Sequence, residues 1–175
     1  TLAKLRFQRA NVLGQLGKID QAIAMFWEVL TMARKDQSAL DLQLHILLYN
    51  QLAYYLHLVG DPVATDYAQA GLKFAREKGS LTHQSYLLST SGEIALAQGD
   101  LDTAERCFTE GLAVAEQLST HERIAGLTAN LGLVAQRRGQ LALARERLTS
   151  ARISRSAWRT TPGGAHLCLA DPAAA

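Results

Sequence analysis

A short block recurs four times along this 175-residue chain, and its spacing limits what the chain can fold into. The copies are Gly17-Lys-Ile-Asp-Gln-Ala22, Gly60-Asp-Pro-Val-Ala64, Gly99-Asp-Leu-Asp-Thr-Ala104 and Gly139-Gln-Leu-Ala-Leu-Ala144. Their glycines lie 43, 39 and 40 residues apart, and the second copy has lost one residue in its turn. Seven residues before each glycine stands a small residue: Ala10, Ala53, Gly92 and Gly132. Four residues after each alanine come Phe26, Ala68, Phe108 and Leu148. In the first three copies a leucine follows at eight (Leu30, Leu72, Leu112) and an alanine at eleven (Ala33, Ala75, Ala115). Offsets of four, eight and eleven fall on one face of an α-helix.

Each glycine is read as the left-handed cap that ends one helix, with the polar residue beside it opening a tight turn into the next. The small residues mark close approaches of two helix backbones. A single helix pair cannot bury its apolar face, whereas stacked pairs share a continuous core. The pattern predicts eight helices, at about 2–16, 19–35, 40–58, 63–78, 82–98, 101–118, 122–138 and 141–153. A bias toward Ala and Leu, with only 6% aromatic residues, suits close-packed helices better than sheets.

The stretch Ala129-Asn130-Leu131-Gly132, followed by Gly139 and Ala144, resembles the tetratricopeptide-repeat family. The resemblance covers residues 1–151 as four repeats. It implies an all-α, right-handed α-α superhelix of about four helix pairs. The unit here is near 40 residues, longer than the family's usual one of about 34. That length resembles the arrays of bacterial maltose-regulator-type (LuxR-type) activators and of signalling ATPases and cyclases. The expectation is a protein-interaction module within a larger bacterial signalling or transcription regulator. The chain begins at Thr1 and enters helical periodicity at once, so it is read as part of a longer protein.

Composition supports few other functions. From Thr1 to Ala151 there are 15 Lys/Arg against 15 Asp/Glu, so the repeat body is neutral and gives no reason to expect nucleic acid. Arg137, Arg138, Arg145, Arg147, Arg152, Arg155 and Arg159 cluster near the end and are read as a solvated face. Cys107 and Cys168 form no disulfide framework, which predicts a reducing cytoplasm, and no run of 18 apolar residues predicts a membrane span. His45, His57, His83, His121 and His166 lack metal-ligand spacing, so no metal or cofactor is expected. Asp100 and Asp102 flank a turn and are read as helix caps. Pro162-Gly163-Gly164 lacks the lysine of a phosphate loop, and no serine has a nucleophile-elbow context. Catalysis is not expected.

The family resemblance also implies that the first helix of each pair lines a concave groove for a protein or peptide. Residues ten and six before each turn glycine would face that ligand: Phe7 and Asn11, Asn50 and Tyr54, Ser89 and Glu93, Ala129 and Leu133. Three before the glycines are Gly14, His57, Leu96 and Gln136. Phe7 and Tyr54 have a competing reading as core residues. The carboxylate clamp by which some relatives grip chaperone tails needs Lys or Arg at these offsets, and none is present. The competing functional readings are a small-ligand-sensing helical domain of a regulatory ATPase and a structural or homodimerising scaffold. After Ala151 the pattern breaks, because Arg152 and Arg155 replace the expected Leu and Ala. Residues 152–175 are therefore expected to be an atypical tail without a docking stripe.

Overall fold

The glycine turns have the predicted backbone conformation. Gly17, Gly60, Gly99 and Gly139 adopt φ of 74°, 76°, 80° and 75° in the computed structural model, which describes residues 1–36 and 38–159, with backbone alone over 155–159. Around each one the next residue's N–H reaches back five residues, as in Asp100 N to Ala95 O at 2.9 Å and Gln140 N to Ala135 O at 2.9 Å. This paired closure satisfies carbonyls that a helix end would otherwise leave bare.

All regular structure among the described residues is helical. The elements are α1 (Leu2–Gln15), α2 (Ile19–Lys35), α3 (Leu42–Leu58), α4 (Ala64–Glu77), α5 (Leu81–Gln98), α6 (Leu101–Gln117), α7 (His121–Arg137) and α8 (Leu141–Arg159). Seven match the sequence reading to within two residues at either end. The eighth is longer: α8 continues to Arg159, past the end expected near 153. Arg, Ala and Ser tolerate a helix, and no glycine or proline intervenes before Pro162. The rest of the expected atypical tail, 160–175, lies outside the described residues. Second helices α4 and α6 end on Gly79 (φ 65°) and Ser119 (φ 53°), caps that the block pattern did not include.

The chain divides into two compact units, Thr1–Thr90 and Ser91 onward, with the division inside α5. In the first unit an aromatic run holds the first pair to the second. Phe7 meets Phe26 edge-on at 5.6 Å, and Phe26 stacks on Tyr55 at 5.6 Å. Tyr55 fits because Gly14 has no side chain: a Cβ there would lie 2.0 Å from the tyrosine oxygen. Ile46, Ala75 and Leu87 form a further buried cluster where α3, α4 and α5 meet.

In the second unit Ala95, Ala104, Phe108, Ala115, Leu127, Leu131 and Val134 form the core. The repeated alanines are as buried as their register requires, with Ala104 and Ala115 both fully shielded. Asp100 caps α6 by accepting the Thr103 N–H at 3.0 Å, in agreement with its sequence reading. Asp102 has a different task. Arg138, after α7, donates to Asp102 Oδ1 and Glu105 Oε2, each at 2.5 Å, tying the turn within one helix pair to the second helix of the previous pair. A further member of the arginine cluster, Arg147, donates to the Leu131 carbonyl at 3.2 Å.

Candidate functional site on the first-helix face

Side chains six and nine or ten residues before the turn glycines meet their counterparts one repeat away. In the first unit Gln51 Nε2 of α3 donates to Asn11 Oδ1 of α1 at 2.7 Å, and Thr90 Oγ1 of α5 donates to Asn50 Oδ1 of α3 at 2.9 Å. In the second unit Asn130 Nδ2 of α7 donates to Glu93 Oε1 of α5 at 3.4 Å. Each contact links two first helices within its own unit, and the two in the first unit form the rungs of a short polar ladder.

The rungs leave functional groups over. The Asn11 and Asn50 amides are held through their oxygens, and their Nδ2 groups have no partner among the described residues. Asn50 shares a face with Tyr54 four residues on. The half-buried Tyr54 ring rests edge-on against Tyr55 at 5.2 Å, and its hydroxyl makes no hydrogen bond among the described residues. One end of each group is fixed and the other is presented, which lowers the ordering cost of gripping a ligand. His57 is also half-buried on α3.

The remaining expected residues divide clearly. Phe7 is 3% exposed and packed on Phe26, so its ring belongs to the core and offers no surface to a ligand. Ser89 is likewise buried, at 8%. Leu133 and Gln136 are exposed on α7. The sequence reading did not include Gln51, Thr90 and Asn130 as partners. Their signal was available, because the first two pairs are separated by 40 residues and the third by 37, about one repeat.

Nothing in this arrangement resembles an acid–base pair or a ligand sphere. No cluster of three His, Cys, Asp or Glu side chains able to hold a metal occurs among the described residues. None of the described helices is long and apolar enough to cross a membrane. A cavity of about 210 Å³ opens between α7 and α8, lined by Ala125, Ala129, Leu148, Ala151 and Arg152. That volume is below the roughly 300–1,000 Å³ usual for small-ligand sites. A shallow depression on α8 near Arg145, Thr149 and Ile153 is open to solvent.

Comparison with known proteins points the same way as the geometry. Residues 82–152 match the tetratricopeptide repeat family model. No curated protein matches the sequence. Among solved structures, BtubC (BKLC) from P. vanneervenii superposes with a TM-score of 0.78 at 17% identity, over 91% of this chain and 65% of that one. This chain therefore spans less than two thirds of that protein's length. Kinesin light chain TPR-like repeats from Podosopora anserina align over 90% of this chain and 97% of theirs, with a TM-score of 0.41 and 14% identity. Repeats of this family generally mediate protein–protein interaction. The family match identifies residues 82–152 as tetratricopeptide repeats, and the block register and helix pairs extend the same helical-repeat fold over the rest of the described residues.

Proposed function

We propose that the chain is a non-catalytic protein-interaction module whose working surface is the first-helix face around Asn50 and Tyr54. Its occupant is an extended peptide segment of a partner protein. The observation that carries this reading is the ladder: amides fixed at one end by rungs, with free donors beside a half-buried tyrosine. A peptide backbone alternates acceptors and donors, so prearranged amides can bind it without demanding a particular side chain. The face lacks Lys and Arg at the groove offsets, which fits a backbone-reading surface better than one that captures a carboxylate tail. The repeat length near 40 residues supports a place within a larger bacterial signalling or transcription regulator, and two cysteines without a disulfide framework support the cytoplasm.

The test begins with selection of binding peptides from a displayed library, followed by calorimetric titration. Asn50→Ala should weaken the selected peptide about 3- to 10-fold, the equivalent of one net hydrogen bond. Tyr54→Ala should cost roughly 2 kcal/mol or more if the ring is an anchor. Glu116→Ala, at an exposed position on the second helix of its pair, should change neither binding nor melting. Wild-type affinity in both first-helix variants would place the working surface elsewhere.

A further inference from the structure

The two rungs of the ladder are not chemically alike, because one of them ends on a hydroxyl. Thr90 stands nine residues before Gly99, where the other first helices carry Gln8, Gln51 and Asn130. It is the one hydroxyl in a register of amides, and it is 6% exposed. Its Oγ1 lies 2.9 Å from Asn50 Oδ1 and 3.3 Å from the Tyr86 carbonyl oxygen, one turn back on α5. A hydroxyl carries one proton and two acceptor lone pairs, so a full hydrogen bond can go to only one of these oxygens at a time. A bond to the carbonyl four residues back is one that threonine commonly makes inside a helix.

Two arrangements satisfy both the hydroxyl and the amide. In the first, Thr90 donates to Asn50 Oδ1, and Asn50 Nδ2 is left for a ligand. In the second, Thr90 donates to the Tyr86 carbonyl and accepts from Asn50 Nδ2, the amide having rotated by half a turn. Asn50 Oδ1 is then left for a ligand. The oxygen and nitrogen of an amide are close in size, so the rotation exchanges them without displacing neighbours. Only hydrogen bonds are exchanged, and every proton stays on its own atom.

The other amides lack this freedom. In the second unit Asn130 faces Glu93 Oε1, and an ionised carboxylate only accepts, so Asn130 must keep its nitrogen toward it. Asn11 faces Gln51 Nε2 at 2.7 Å, and there neither amide can reverse unless the other reverses with it. At Asn50 the Tyr86 carbonyl supplies the second acceptor that makes reversal independent.

We propose that Thr90 is a positioning residue through which Asn50 reads a partner backbone in either polarity, offering its N–H to a carbonyl or its oxygen to an N–H. An extended segment crossing α3 can then run in either chain direction, since reversal exchanges the two groups it presents. The inference rests on the reading of this face as a peptide-binding surface, but the relay is a property of the free chain and is tested there first.

Relaxation dispersion on the side-chain amides of the ¹⁵N-labelled free chain should show exchange at Asn50 Nδ2 and none at Asn130 Nδ2. The exchange should persist in Thr90→Ser and vanish in Thr90→Val, which keeps the shape and removes the hydroxyl. A static Asn50 amide in the wild type, or exchange that survives Thr90→Val, would overturn the proposal. The library-selected peptide is then titrated against the same proteins. Thr90→Val should weaken it about 3- to 10-fold, the equivalent of one net hydrogen bond, and Asn50→Ala added to Thr90→Val should cost less than about twofold more. Thr90→Ser should bind within about twofold of wild type. Full loss in Thr90→Ser, or none in Thr90→Val while Asn50→Ala still weakens binding, would also overturn the proposal. Wild-type affinity in both Asn50→Ala and Tyr54→Ala would instead remove the peptide-binding reading, and with it the role of the relay, whatever the exchange shows.

Discussion

The Phe108 ring occupies the space that a side chain on Gly92 would need: a Cβ there would lie 2.4 Å from Cε1 and 2.6 Å from Cδ1. Phe108 is fully buried, so the ring cannot move aside. Gly92→Ala should therefore destabilise by roughly 1–3 kcal/mol, even after the ~1 kcal/mol that alanine gains over glycine in a helix. The matching Gly132 faces Leu148, whose side-chain carbon would lie 2.9 Å away and which is 36% exposed. Gly132→Ala should cost less than about 1 kcal/mol because that leucine can rotate outward. Urea unfolding of both variants checks the pair, and equal losses would contradict the difference in confinement.

The Arg138 clamp should be unequal. Its side chain is 25% exposed, against 37% for Glu105 and 96% for Asp102. Solvent screens the aspartate arm almost completely, so double-mutant cycles should give about 0.5–1 kcal/mol of coupling to Glu105 and near zero to Asp102. Larger coupling to Asp102 would show that exposure is not what sets the strength here.

Ser119 holds a left-handed backbone, φ 53°, at the place where Gly79 closes the preceding second helix. A side chain there is strained, and Ser119→Gly should raise stability by about 0.5–1 kcal/mol. A melting temperature at or below wild type would mean that the serine side chain compensates for its own strain.

Acid should weaken the fold before the carboxylates titrate. Burial holds the imidazoles of His45 and His83 below their ordinary pKa of 6.5. The native state therefore prefers them neutral, while the unfolded chain takes up protons near 6.5. Their contribution is complete above about pH 7 and declines as pH falls through 6.5 toward the lower folded values. Asp36, held low by its hydrogen bonds with the Ser38 hydroxyl and N–H, loses its contribution only below about pH 4. Melting temperature scanned from pH 7.5 to 5 at fixed ionic strength should fall, and His45→Gln with His83→Gln should flatten the curve. An identical slope in the double variant would exclude the histidines as the cause.

Helix number and boundaries were legible because the signals that set them are local. A left-handed glycine cap and an apolar face are each written within a dozen residues. Burial at the ladder face was less legible, because it depends on what lies opposite. The offset rule treated Phe7 and Tyr54 alike, but Phe26 covers the first while the second remains half-open. The half-buried aromatic run from Trp27 through Tyr67 and Tyr49 to His45 and Phe74 escaped notice for the same reason. Its members come from three helices and share no sequence offset.

The missing side chain at Gly14 also bears on misfolding. In the other repeats its register holds His57, Leu96 and Gln136, none of which leaves room for the Tyr55 ring. Near-copies forty residues apart invite a folding chain to join the wrong neighbours, with each helix slipped by one whole repeat. Here the slip is blocked by individual keys. Tyr55 has one lock at Gly14, and the Phe108 ring has another at Gly92, which excludes a slip onto the first two repeats with Ala10 and Ala53 but not onto the fourth with Gly132. Although the repeats follow one plan, they are not interchangeable parts, and frame-shifted assembly is penalised at the moment of docking.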